Sequence, residues 1–194
     1  MIKGFKLILK AASFAADKHR TQLRKGEEAT PYINHPIEVA RILAEEGGVD
    51  DPEVIAAALL HDTIEDTETT ADELRSLFGE RVTAMVLEVT DDKSIKEKTE
   101  RKRLQIVNAP HKSPGAALVE LADKTSNVRD VGARPAVGWS EQRRLEYLDW
   151  AKQVVDALPV ENHPLKDAFE ASLASSVKLI KGCGDPAALV GGSV

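Results

Sequence analysis

The chain has 194 residues, a formal net charge of −6 and a single cysteine, enough length for one sizeable core without disulfides or a structural metal. The acidic balance argues against nucleic acid as the main ligand, because such binders carry a basic face. The lone thiol, Cys183, excludes an intramolecular disulfide or a thiolate zinc cluster and fits a reducing compartment, and no apolar run approaches the roughly 18 residues of a membrane span.

The start, Met1-Ile2-Lys3-Gly4-Phe5-Lys6, lacks the apolar core of a signal peptide, so the expected place is the cytoplasm. Arg20 to Asn34 reads as a loop, interrupted by Gly26 and Pro31. Ile37, Ala40, Ile42 and Leu43 then recur at helical spacing as far as Gly47-Gly48. From about Pro52 to Asp66 a helix is expected whose first three turns are apolar on all sides, which makes it central and buried. Thr70-x-x-Glu73 is a capping box for a helix carrying Leu74, Leu77 and Phe78 and stopped by Gly79; Val82, Met85, Val86 and Val89 mark the next. Asp91 to Lys98 reads as a second loop, and the charges from Lys93 to Arg103 mostly as a solvated helix face. Leu118, Leu121, Ala122 and Val128 define another helix. A third loop follows from Gly132 to Trp139, with Pro135 and Gly138. Ser140 before Glu141 starts a helix with Leu145, Leu148 and Ala151, and Phe169, Leu173, Val177 and Leu179 mark the last. No strand alternation competes. The expectation is an all-α domain of seven to nine helices over residues 1–181, with a flexible Gly-rich tail at 182–194.

Chemistry concentrates where the apolar run Val54 to Leu60 meets His61-Asp62-Thr63-Ile64-Glu65-Asp66. Three carboxylates near a helix C-terminus add to the negative end of its dipole, and burying them without a cation or strong donors is costly. A divalent metal supplies the missing charge. The alternative is a helix end that simply surfaces. Two further residues favour the metal: His35, in Tyr32-Ile33-Asn34-His35-Pro36, and Asp123, set in the apolar stretch Leu121-Ala122-Asp123-Lys124-Thr125-Ser126-Asn127. Taken singly, His35 reads as a capping or core histidine and Asp123 as a partner of Lys124 or Arg129. Two imidazoles and two carboxylates without sulfur suit manganese, iron or zinc, and ligand type leaves that choice open.

The set Thr30-Pro31-Tyr32-Ile33-Asn34-His35-Pro36, Ala58-Leu59-Leu60-His61-Asp62-Thr63-Ile64-Glu65-Asp66-Thr67, Leu121-Ala122-Asp123-Lys124 with Asn127, and Trp139-Ser140 with Arg143-Arg144-Leu145-Glu146-Tyr147 resembles the HD-domain hydrolases of the RelA/SpoT family. The resemblance covers about residues 3 to 180 and is greatest to the small stand-alone form similar to the metazoan SpoT homolog. It implies a helical bundle around a central metal site and a manganese-dependent 3′-pyrophosphohydrolase of ppGpp or pppGpp, with one Mn²⁺ per chain. It assigns His35, His61, Asp62 and Asp123 to the metal and Glu65 and Asp66 to the attacking water. Arg24, Lys25, Asn127, Arg143 and Tyr147 fall on its nucleotide contacts, and Lys98 aligns with a substrate lysine beside a local insertion. No nucleic-acid or membrane partner is implied. Two alternatives stay open: a broader nucleotide phosphohydrolase, including removal of the 2′-phosphate of NADPH, and a non-catalytic nucleotide sensor, whose signature would be a lost ligand or a lost Glu-Asp pair.

Overall fold

Val54, Ile55, Ala56, Ala57, Ala58, Leu59 and Leu60 are all buried, so the segment that carries them needs neighbours on every side. A computed structural model, describing residues 2–26 and 28–182, supplies them: this helix, α3 (Pro52–Leu60), packs against α1 (Ile2–Lys18), α2 (Asn34–Arg41), α6 (Glu80–Val89) and α8 (Pro114–Ala133). The remaining helices are α4 (Thr63–Asp66), α5 (Ala71–Phe78), α7 (Lys98–Asn108), α9 (Glu141–Ala157) and α10 (His163–Gly182). With the single turn α4 taken as the end of the α3 segment, the described residues hold nine α-helices and two isolated β-bridges, Leu23 with Pro31 and Gly26 with Ala136. The all-α expectation holds. Cys183 and the expected tail from 183 onward lie outside the described residues, while Gly182 ends α10. None of the described helices is long and apolar enough to cross a membrane.

The starts of the helices follow side-chain chemistry. Asp51 accepts from the Glu53 amide ahead of Pro52, Thr70 from the Glu73 amide, and Ser140 from the Arg143 amide, each satisfying a donor that the first turn leaves without a partner. The Thr70 capping box is only half made. Glu73 turns instead to Lys18 at 2.9 Å, tying α5 to α1.

Three local expectations change. Helix α2 does not run evenly to Gly47: Ile42–Glu46 is one π-helical turn, closed by the Gly47 amide on the Ile42 carbonyl at 2.9 Å. The loop expected from Gly132 starts later, because α8 continues to Ala133. Gly132 lies in that helix because α10 crosses it closely: a Cβ there would meet Ser176 Cα at 2.8 Å. The helix expected from Pro52 to Asp66 breaks at His61-Asp62, where the functional side chains sit.

Candidate metal centre

At the end of α3 two side chains take the carbonyls that would continue the helix. His61 Nδ1 meets the Ala58 carbonyl at 2.7 Å, and Thr63 Oγ1 donates to the Leu60 carbonyl at 2.7 Å. Such side-chain bonds compete with the main-chain ladder, and the chain turns before α4 resumes. The Asp66 amide still reaches the Asp62 carbonyl at 2.8 Å, so Asp62 and Asp66 remain one turn apart.

The turn aims His61 Nε2 and Asp62 Oδ2, 3.1 Å apart, at residues from α2 and α8. His35 is held through Nδ1 by Ser126 Oγ at 3.2 Å, and its Nε2 lies 3.0 Å from Asp123 Oδ1 and 3.7 Å from Asp62 Oδ2. His61 Nε2 is 3.7 Å from the same Asp123 oxygen. One donor atom each of His35, His61 and Asp62 lies within 4.8 Å of the others, and Asp123 joins through both imidazoles. Three distant parts of the chain thus converge. His61 Nε2 is buried and, despite the nearby oxygen, makes no well-directed hydrogen bond. With Nδ1 against a carbonyl, Nε2 faces the carboxylates and, once it gives up its proton, would offer its lone pair to a metal. Two imidazoles and two carboxylates fit a divalent cation. Electrostatics agree: burial disfavours charge on His61, but Asp62 and Asp123 outweigh it and hold the imidazole well above its usual range. Burial likewise opposes ionisation of Asp62 and Asp123. His61 holds the first below the usual carboxylate range, and Lys124 with the imidazoles does so for the second.

Glu65 and Asp66 stand beside these four. Glu65 Oε2 accepts from the Asp91 amide at 3.1 Å. Burial, then the charges of Asp91, Asp62 and Asp66, push its carboxyl up to about 7. Lys93 donates to Asp66 Oδ1 at 3.0 Å and to the Glu65 carbonyl.

On the other side lies a basic, aromatic surface. Arg24 donates to Asn127 at 3.2 Å and Asp130 at 2.6 Å, and Asn127 donates to Asp123 Oδ1 at 2.7 Å. Lys98 has its pKa lowered by burial and then by the charges of Arg143, Lys25 and Arg101. Arg143 stacks 4.5 Å from the Trp139 ring, and Tyr147 packs between Trp139 and Trp150 at 5.7 and 5.2 Å. The charges of Lys124 and Asp123 act on the Tyr147 hydroxyl, whose pKa burial raises.

Residues 11–147 match the HD-domain family model. The chain belongs to the HD-domain family. The human protein named guanosine-3′,5′-bis(diphosphate) 3′-pyrophosphohydrolase MESH1 is 57% identical over 163 residues, covering 84% of this chain and 90% of its own. The Aquifex aeolicus protein named guanosine-3′,5′-bis(diphosphate) 3′-pyrophosphohydrolase is 45% identical over 124 residues, 63% of this chain but 17% of that longer one. Among solved structures, a metazoan ortholog of SpoT described as hydrolysing ppGpp superposes with a TM-score of 0.83 at 45% identity, covering 87% of this chain and 94% of that one.

This HD-domain site also uses residues that sequence reasoning passed over. Lys93 lies in the α6–α7 loop, as the reading of Asp91 to Lys98 as a loop expects, and it grips the acid pair, a role that reading did not give it. Lys102 is half-buried, 4.5 Å from the Trp150 ring and 5.4 Å from that of Tyr147. Tyr32, quoted above only as part of a motif, donates its hydroxyl to Asp62 Oδ2 at 2.6 Å. Lys124 pairs with Asp123 at 3.1 Å and Glu120 at 2.7 Å. Lys93 and Tyr32 act across 27 or more positions and Lys102 from within a run of like charges, so their spacing carried no signal, whereas the Lys124 pairing with Asp123 is local and was among the readings of the sequence.

Proposed function

We propose that this HD-domain chain hydrolyses guanosine 3′,5′-bis(diphosphate), ppGpp or pppGpp, at the 3′ position, releasing pyrophosphate. In this reading His35, His61, Asp62 and Asp123 hold one manganese ion. A divalent metal there lowers the pKa of its water and polarises the phosphoryl group. Glu65, whose carboxyl burial raises in the metal-free chain and a neighbouring cation would favour in its ionised form, accepts the water's proton as general base. The Asp91 amide fixes which carboxylate oxygen is free, and Lys93 with Tyr32 holds Asp66 beside it. Water oxygen bonds to phosphorus, the ribose 3′-oxygen leaves and takes a proton, and the products are GDP or GTP and pyrophosphate. Arg24, Lys25, Lys98, Asn127, Arg143 and Tyr147 receive the nucleotide, the arginines through planar guanidinium groups that suit both phosphate and base. A cytoplasmic enzyme working without nucleic acid or membrane fits the acidic chain.

The observation that carries the reading is a four-donor cluster of His35, His61, Asp62 and Asp123 with the Glu65-Asp66 pair beside it, accompanied by Lys25, Lys98 and Arg143, which have no carboxylate within 4.0 Å among the described residues. A non-catalytic sensor would have no use for the acid pair, which is intact and individually anchored. Purified protein incubated with ppGpp, pppGpp and NADPH, in manganese or in chelator, tests it. Pyrophosphate and GDP should form from ppGpp only with metal, and His61→Ala should lose both metal binding and turnover. Turnover in chelator would end the metal reading, and phosphate release from NADPH alone would move the substrate.

A further inference from the structure

The hydroxyl of Tyr32 lies 2.6 Å from Asp62 Oδ2 and 3.2 Å from Asp66 Oδ2. We propose that Tyr32 is a positioning residue that yokes the metal-holding carboxylate Asp62 to the water-activating carboxylate Asp66. The proposal rests on the roles given to those two acids above. One turn apart, they repel each other, and a single donor between them offsets part of that repulsion while fixing the spacing.

Other groups grip the same turn, but each touches less of it. Lys93 takes the opposite oxygen of Asp66, Oδ1, and Gln22 donates its side-chain amide to the Asp66 carbonyl at 2.6 Å. Neither reaches Asp62. Tyr32 is itself tightly placed: its amide donates to the Gln22 carbonyl at 2.9 Å, and its carbonyl accepts from the His35 amide at 2.9 Å. Its ring lies 4.9 Å from that of His19 at 31° and 6.0 Å from that of His35 at 71°, with the Arg24 guanidinium 5.6 Å away. His19 is fully buried and binds Gln22 Oε1 through Nδ1 at 2.6 Å. His19, at the end of the first helix, with Gln22 and Tyr32 of the first loop forms a support whose side-chain hydrogen bonds to the rest of the chain fall on the acid turn. Hydrogen bonds that orient metal-binding side chains are typically worth 10–100-fold in metal affinity or activity.

Tyr32→Phe keeps the ring and its packing and removes only the hydroxyl. Manganese affinity, titrated calorimetrically without nucleotide, should weaken about tenfold. At saturating manganese, kcat for ppGpp should fall by about ten- to a hundredfold with KM changed less than about twofold, because the hydroxyl faces the acids and not the cationic surface. In an Asp66→Asn background the same change should cost kcat little further, as residues acting through one another are not additive. A melting temperature and near-UV spectrum matching the wild type would show that the fold is kept. Unchanged manganese affinity and kcat would overturn the proposal, as would a raised KM at normal kcat, which would make Tyr32 a substrate contact, or full additivity with Asp66→Asn. Should the wild type fail to hydrolyse ppGpp, the functional reading falls, and the manganese titration alone still decides whether Tyr32 orders Asp62.

Discussion

Two groups of charges, one buried and one largely exposed, flank the candidate metal centre and are built on opposite principles. Behind Asp123 the signs alternate: Asp123 meets Lys124 at 3.1 Å, Lys124 meets Glu120 at 2.7 Å, and Glu120 meets Lys112 at 3.5 Å, with the last three side chains 5–7% exposed. On the side proposed for the nucleotide, Lys25, Lys98, Lys102 and Arg143 lie near one another, and among the described residues none of them pairs with a carboxylate within 4.0 Å. Burial first, then the neighbouring cations, lowers the pKa of both Lys98 and Lys102. The alternating chain satisfies itself and serves as scaffold. The cationic cluster leaves its charge to solvent, and under the proposed function a substrate with two diphosphates is the anion that would meet it.

The largest effect should come from the acids that belong to neither group. Glu65→Gln with Asp66→Asn keeps size and removes the ability to accept a proton. Manganese and ppGpp should still bind, while turnover falls by roughly 10²–10⁴, the usual reach of positioned general acid–base catalysis. Calorimetry and pyrophosphate release on one preparation separate the outcomes. Loss of metal would make these acids ligands, and normal turnover would show that no carboxylate base is needed.

A smaller effect tests the cationic cluster. Lys98→Ala and Arg143→Ala should each raise KM for ppGpp by about tenfold with manganese affinity unchanged, as expected when an interaction is equally strong before and during reaction. Raising ionic strength should weaken wild-type binding more than that of either variant, because salt screens exposed charges. If the variants keep wild-type KM and salt dependence, the nucleotide lies elsewhere.

The contrast between the two groups also explains what the sequence made legible. Helix spacing and the abrupt entry of His61-Asp62 into an apolar run revealed the all-α core and the metal candidates, because both are local patterns. Their local context, a histidine before Pro36 and a carboxylate in an apolar stretch, added His35 and Asp123 as candidates, the resemblance then gave them a role, and the structure brings their donor atoms to 3.0 Å. The break after Leu60 was not legible, since it depends on His61 and Thr63 capturing carbonyls, and a helical reading of Pro52 to Asp66 satisfies the same residue types. Lys102 and Lys93 were hidden within one charge run. Their different roles follow from tertiary neighbours, Trp150 for one and Asp66 for the other.

The smallest effect sharpens the comparison at two glutamates. Glu120 has Lys124 and Lys112 beside it, whereas Glu65 has the Asp91 amide and the half-exposed Lys93 at 4.0 Å. Glu65 is therefore pushed from 4.5 up to about 7, by burial first. A raised carboxyl in the fold means that the folded chain holds its proton more tightly than the unfolded chain. The cost of ionising Glu65 is absent below about pH 4.5 and complete above about pH 7. Glu65→Gln removes that cost while leaving an oxygen for the Asp91 amide. In chelated protein it should raise the melting temperature by ~2–4 °C at pH 8, corresponding to ~1 kcal/mol once solvent screening of this part-exposed group is allowed for. The gain should shrink as pH falls towards 5. Adding manganese should reduce the gain at pH 8, because a nearby cation favours the ionised carboxylate and so relieves the same cost in the wild type. A gain equal at both pH values would mean that the substituted glutamine simply packs better, and a loss at pH 8 would mean that the Glu65 charge already has an adequate partner inside the fold.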